Sequence, residues 1–405
     1  MAERQDNAVH GSAGAGAGAG GGAGAGGHDK QPSPRKPLLT RVLYALAINA
    51  MQVLVVGPAM MIRHWKQRRS LPSTYPTIIK TYPSRPRLPV RVFFPEAYDR
   101  ESQSQSQSRS APALPLLLSI HGGGFVVGDP SDSDVWNHAF SNQNNCLVVA
   151  LNYAKAPGNP FPGPLADLEA QIGAVFADEE LAPHLDTARV GLMGFSAGGN
   201  LALTVSQFPS VRDRITAGIV PIYPVVDFSI TPQQKASTRR YKPALQGSRG
   251  ATRDPLLRLA DAFDWSYVPV GHDLRDPLLS PAFVDRGALP RRVWIIGCEL
   301  DMLGHEAWRL ACRLTGRQVP TLDQPIGQEA PEESGRLGAL ITTGDQRFAW
   351  EEKNRDGEVK WLCVADAGHG FDLPGALGAD EDTSEDGRLK REAIIRMTGE
   401  WLFRQ

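Results

Sequence analysis

The stretch Gly194-Phe195-Ser196-Ala197-Gly198-Gly199-Asn200 follows the apolar run Val190-Gly191-Leu192-Met193 and opens onto Leu201-Ala202-Leu203-Thr204-Val205. In that order it reads as a strand, a sharp turn carrying a serine, and a helix. A serine hydroxyl is a weak nucleophile until a base takes its proton and the backbone presents its oxygen clear of its neighbours. The G-x-S-x-G spacing does the presenting: the turn is strained, and Gly194 and Gly198 keep side chains out of the crossing between strand and helix. The first N–H groups of the helix point at any negative charge forming beside the serine. The same residues also fit a glycine-rich turn capped by a serine, so the reading depends on partners elsewhere in the chain.

Working outward, Val90-Arg91-Val92-Phe93-Phe94 has strand composition and is closed by Pro95. Leu116 to Ile120 and Cys146 to Leu151 are apolar runs of the kind buried on both faces of a parallel sheet. A helix is expected over Leu165 to Glu179, and further strands at Ala217 to Tyr223, Val293 to Cys298 and Val359 to Val364. The alternation predicts an α/β fold, a doubly wound and mostly parallel sheet. Reactive groups in such sheets lie at the carboxyl ends of the strands. His121-Gly122-Gly123-Gly124, Ser196, Asp301 and His369 each follow a predicted strand, so separate stretches converge on one rim.

His369, in Ala367-Gly368-His369-Gly370-Phe371, is the candidate general base, able to take the Ser196 proton and return it to a leaving alcohol. Asp301 is the residue expected to hold the imidazole tautomer, with Glu299 as the fallback. Backbone N–H groups of Gly122, Gly123 and Ala197 form the expected oxyanion hole. The competing use of a glycine-rich loop is phosphate binding, but no G-K-[ST] follows it.

Together, His121-Gly-Gly-Gly-Phe125, Gly194-x-Ser-Ala-Gly-Gly-Asn200, Tyr223-Pro224 with Asp227, and His369-Gly-Phe371 resemble the hormone-sensitive-lipase-like branch of the α/β-hydrolases, which includes arylacetamide deacetylase-like esterases. Tyr153-Ala-Lys-Ala-Pro157 with Phe161-Pro162 and Asp167 is similar to that branch's Tyr-x-x-Ala-Pro-Glu segment. The resemblance runs from about Val90 to the C-terminus. It implies hydrolysis of carboxylic esters through an acyl-enzyme by Ser196, Asp301 and His369, with the oxyanion hole above. It also implies a helical cap built from the N-terminal helices and a segment at about 229–275. Two other readings keep the same residues: an inactive ligand-binding receptor or scaffold, and an amidase or lactonase.

The chain departs from the family pattern in four places. Phe195 stands where the family usually has Asp, and Gly158 where it usually has Glu. Met302-Leu303-Gly304-His305 follows Asp301 in place of Pro-Leu-x-Asp, and His305 is read as structural. The polar stretch of roughly Arg317 to Asn354 is long for a connection, and is expected either to be disordered or to shape the pocket entrance.

N-terminal to this body, residues Gly11 to Gly27 are almost entirely Gly and Ala, and a disordered tail is expected over 1–37. Val42 to Ile62 is uncharged and long enough to cross a bilayer, but Asn49 and Gln52 interrupt it, Pro58 is expected to kink or end the helix, and basic residues flank both ends. It is read as a membrane anchor or a cap helix, which leaves localisation as membrane-associated or cytoplasmic. The catalytic domain is expected over 86–405, with Ser-Gln repeats at Glu101 to Ser110 as a surface loop. The net charge of −1 gives no footprint for nucleic acid. Cys146, Cys298, Cys312 and Cys363 show no C-x-x-C spacing and no H-E-x-x-H occurs, so buried thiols are expected, with no metal and no cofactor.

Overall fold

The computed structural model describes residues 30–100, 112–245, 247, 249–327, 336–373 and 380–404. Short apolar runs bounded by Gly and Pro become strands because they have too few residues to bury a helical face. The described strands form a nine-stranded sheet: β1 Ile78–Tyr82, β2 Arg85–Phe93, β3 Leu114–Ile120, β4 Leu147–Leu151, β5 Leu185–Phe195, β6 Gly218–Ile222, β7 Arg292–Cys298, β8 Ala349–Asn354 and β9 Gly357–Val364. Their order across the sheet is β1-β2-β4-β3-β5-β6-β7-β9-β8. From β4 to β9 neighbours run parallel, while β1, β2 and β8 pair antiparallel. The expected doubly wound α/β architecture is borne out.

The longer helices are α1 Leu38–Ala50, α2 Gly57–Arg69, α3 Asp134–Asn144, α4 Gly163–Phe176, α5 Ala197–Val205, α6 Leu257–Tyr267, α7 Gly304–Thr315 and α8 Glu381–Phe403. Alternate strand residues point to opposite faces, so β3 sends Leu116, Leu118 and Ile120 one way and Leu117 the other. The first face is covered by α4 and α5 through Leu168, Ile172 and Leu201. The second is covered by Trp136 and Phe140 of α3 and Ile394 and Ile395 of α8. Register then levels the strand ends: Ile120 lies opposite Gly194, Phe195 opposite Ile222, and Cys298 opposite Val364. The loops that follow β3, β5, β6, β7 and β9 therefore leave the sheet along one edge.

Several sequence expectations shift. The expected helix Leu165 to Glu179 is Gly163–Phe176. Of the tail, residues 1–29 lie outside the described residues, but Gln31 and Ser33 are already tied to the body: Gln31 N–H donates to Asp273 Oδ1 (2.9 Å) and Ser33 N–H to His272 O (2.7 Å). Pro58 does not end its helix. A proline ring collides with the carbonyl four residues back, and the chain relieves this by widening into a π turn over Met51–Val56 before α2 continues. The Ser-Gln loop lies outside the described residues. The stretch 317–354 ends in edge strand β8, where Arg317 pairs with Glu352 (2.5 Å) and lies over the Trp350 ring (4.5 Å). Its residues 328–335 are not described.

Because Ile395 is fully buried between α8 and the sheet, Ile395→Ala is expected to cost about 2–5 kcal/mol of stability. Urea unfolding should show a lower midpoint with an unchanged slope.

Candidate active site

Ser196 sits between β5 and α5 with φ 53° and ψ −116°, a conformation that L-residues rarely adopt. It is held there by packing. A Cβ on Gly194 would stand 2.0 Å from Gly198 O, and one on Gly198 would stand 2.3 Å from Ile120 O, so only glycine fits at either place. Ser196 N–H donates to Ile222 O (2.9 Å), tying the turn to the next strand. The result projects the serine oxygen over the rim of the sheet.

His369, after β9, meets it there. Its Nε2 lies 2.9 Å from Ser196 Oγ and its Nδ1 lies 2.8 Å from Asp301 Oδ2. Asp301 follows β7 and is 1% exposed, and its other oxygen accepts the Leu303 N–H (2.9 Å). Burial opposes a proton on His369, but the Asp301 carboxylate favours it, and Asp254 and Asp372 add to the effect, so the histidine pKa rises above its ordinary 6.5. Glu299, the fallback acid, is engaged elsewhere: it accepts from Lys242 Nζ (2.9 Å) and from Asp366 N–H (2.9 Å). His305 is bonded through Nε2 to Gln324 O (3.0 Å), which fastens the 317–354 stretch to α7.

The glycine loop after β3 lies against the same serine. Gly122, Gly123, Ser196 and His369 line one cavity of about 680 Å³, and Ala197 is the first residue of α5. At Gly123, φ is 109° and a Cβ would meet Val127 O at 2.1 Å, so the loop can come this close only as glycine. His121 Nδ1 bonds to Gly122 O (2.7 Å), and the Tyr153 hydroxyl donates to the same oxygen (3.2 Å). In a trans peptide C=O and N–H point oppositely, so fixing Gly122 O also aims the Gly123 N–H.

Beneath this loop lies a residue to which the sequence assigned no role. Lys155 Nζ contacts His121 Nε2 (3.2 Å) and Asn152 Oδ1 (3.2 Å) and donates to Tyr153 O. With Nδ1 donating to Gly122 O, Nε2 is the accepting nitrogen. Burial, reinforced by the Lys155 charge, pushes the His121 pKa well below the ordinary range and keeps that ring neutral. Burial also lowers Lys155 itself to about 7. The Tyr153-Ala-Lys-Ala-Pro157 segment contained the signal, a lysine within an otherwise uncharged run.

The remaining walls of the cavity come from distant parts of the chain. Phe195 packs edge-on against Trp136 (5.1 Å between centroids), and Phe263 of α6 adds an aromatic edge. Val55, Val56, Ala59, Met60 and Arg63 come from the N-terminal helices. Tyr223 donates to Asp372 Oδ1 (2.7 Å) and its ring lies 4.8 Å from that of His369. No described residue of the 317–354 stretch lines this cavity, so of the two expected roles for it, shaping the entrance is not observed.

The model of the alpha/beta hydrolase fold family matches residues 117–324. The chain belongs to this family. Within the alpha/beta hydrolase fold, it is 30% identical over 212 residues to an arylesterase from Saccharolobus solfataricus, a match covering 51% of this chain and 64% of the relative. It is 32% identical over 224 residues to an ethyl acetate hydrolase from Pseudomonas putida, covering 52% and 61%. The matched stretch thus spans less than two thirds of either relative. A hyperthermophilic esterase from the archaeon Pyrobaculum calidifontis superposes with a TM-score of 0.55 at 21% identity, over 90% of this chain and 99% of that one, and shares the fold. These relatives are consistent with the esterase branch that the sequence motifs resemble.

Lys155 makes folding depend on pH. Between about 7 and the ordinary lysine value of 10.5, the unfolded chain holds a proton that the folded chain has shed, so the contribution of this residue to stability rises with pH across that window. The stability of wild type relative to Lys155→Met should therefore increase from pH 7 upward. Denaturant midpoints measured in parallel for the two proteins check this.

Proposed function

We propose that the chain is a serine hydrolase that cleaves carboxylic esters of small to medium, lipophilic or acetylated substrates through an acyl-enzyme. The observation that carries the reading is the continuous line from Ser196 Oγ through His369 to buried Asp301, facing the glycine loop across one cavity. His369 Nε2 takes the Ser196 proton as Oγ attacks the ester carbonyl carbon. The negative charge moves to the carbonyl oxygen, which accepts from the N–H groups of Gly122, Gly123 and Ala197. Asp301 stabilises the imidazolium and holds its tautomer. His369 then gives its proton to the departing alcohol oxygen, leaving an acyl-serine, and a water molecule repeats the sequence to release the acid. Phe195, Trp136, Val55 and Phe263 give the cavity apolar walls, which favours lipophilic substrates over charged ones.

The test is hydrolysis of p-nitrophenyl acetate and butyrate by wild type and Ser196→Ala. The variant should lose on the order of a millionfold in kcat, and equal rates would overturn the proposal. Parallel assays on an amide and a lactone separate the related chemistries.

The raised His369 pKa sets the acid limb. The neutral base is lost as pH falls, so kcat/KM should decline through a value above 6.5. In Asp301→Asn the carboxylate that raises this pKa is gone while the burial that lowers it remains. A pH profile of that variant should show its acid limb at lower pH, with kcat reduced by roughly 10⁴-fold.

A further inference from the structure

The N-terminal helices present two faces that differ in kind. The inner face is pinned to the body by polar side chains. Gln52 Nε2 donates to Val126 O (2.8 Å) and Ala156 O (3.0 Å), and Arg63 pairs with Asp132 (2.8 Å) and Asp129 (3.5 Å) next to the glycine loop. Tyr44 packs against Trp265 of α6 (5.9 Å between centroids), and Ile48 is buried. The outer face is a row of large apolar side chains in water, with Leu46 63% exposed, Leu54 70% and Met61 74%. By length and composition Leu38–Gln67 is apolar enough to cross a membrane. Spanning would strip Gln52 and Arg63 of their partners and place them in hydrocarbon, which is costly.

We infer that α1 and α2 instead lie flat on an anionic lipid surface, with the outer apolar face in the headgroup–acyl boundary and the inner face still docked on the body. Charge supports this occupant. No Asp or Glu occurs from Lys30 to Pro95, while Arg35 before the helix and Lys66 and Arg69 at its end are exposed. Such flanking cations pair with lipid phosphates while the apolar row is immersed. Trp65 is 52% exposed and lies under the Arg69 guanidinium (3.7 Å), the amphipathic pairing suited to the depth of the headgroups. Geometry supports it too, because Val55 and Met60 are exposed on this helix and also line the cavity that holds Ser196. A lipid surface against the outer face therefore adjoins the cavity, and an apolar substrate partitioned into lipid reaches it without crossing water. Only this last consequence rests on the proposed ester hydrolysis; the docking does not.

The experiment is co-sedimentation of the full chain with vesicles of phosphatidylcholine alone or mixed with phosphatidylserine. Wild type and Ser196→Ala should pellet equally with the mixed vesicles, less with phosphatidylcholine alone, and be released by alkaline carbonate. Leu54→Glu combined with Met61→Glu should abolish pelleting. Neither residue lines the cavity, so hydrolysis of water-soluble p-nitrophenyl acetate should be unchanged in this variant, and an equal thermal midpoint shows that it folds. Lys66→Gln with Arg69→Gln should erase the preference for phosphatidylserine. Absence of wild-type binding to either vesicle, or equal binding by the glutamate variant, overturns the inference. So does resistance to carbonate, which identifies a spanning helix, or a dimer that the glutamate variant dissociates, which identifies a second copy as the cover. Loss of ester hydrolysis in every protein with binding intact refutes the proposed activity and leaves the docking standing.

Discussion

The crossing of β5 into α5 constrains everything around it. There is no room for a single methyl group at Gly194 or Gly198, and the backbone at Ser196 is bent into positive φ to make the passage. A strained turn of this kind persists only if its surroundings over-determine it. Here they do so through the Ser196 N–H to Ile222 O bond, through the close approach of Gly198 to Ile120 O, and through the level register of the parallel strands on both sides. Opening the crossing would displace the serine from His369 and the glycine loop from the serine together, because the loop after β3 packs directly against the start of α5.

The central sheet was legible in the sequence because buried parallel strands are unbroken apolar runs, and β3, β4 and β6 are buried at every position. The residues brought together at the rim were legible because each follows such a run. The edge strands were harder to read. Strand β1, Ile-Ile-Lys-Thr-Tyr, and strand β8, Ala-Trp-Glu-Glu-Lys-Asn, are half-exposed and mixed in polarity, so neither gives a clean period. Helix boundaries shifted by a few residues, as capping and tertiary contacts decide them locally. The π turn before Pro58 could not be read at all, since its cause is a steric clash that several backbone adjustments can relieve.

Side-chain partnerships formed across long sequence separations account for the rest. Glu299 and Asp301 are two residues apart and chemically alike, yet one is neutralised by Lys242 and the other is turned to His369. Nothing in their spacing distinguishes them; the position of Lys242 does. Lys155 is similar, since its significance comes from His121 stacked on Tyr153 (4.5 Å between centroids), a pairing visible only once β3 and β4 are side by side. Arg63 reads in the sequence only as one of the basic residues that follow the apolar run, and its role as a tether depends on the carboxylates of Asp129 and Asp132.

Strand β8 has a consequence for how the molecule behaves in company. It is an outermost strand of the sheet, and it carries Glu351, Glu352 and Lys353 in succession, with Lys353 pairing to Glu351 at 2.9 Å. A free strand edge is a template on which another chain can extend the sheet, and charged side chains deny it a matching partner. By ending in this strand instead of in the more deeply buried β9, the sheet blocks its own growth at this edge. The polar 317–354 stretch thus ends in a guard against polymerisation, and keeps the mostly buried β9 one place in from the boundary.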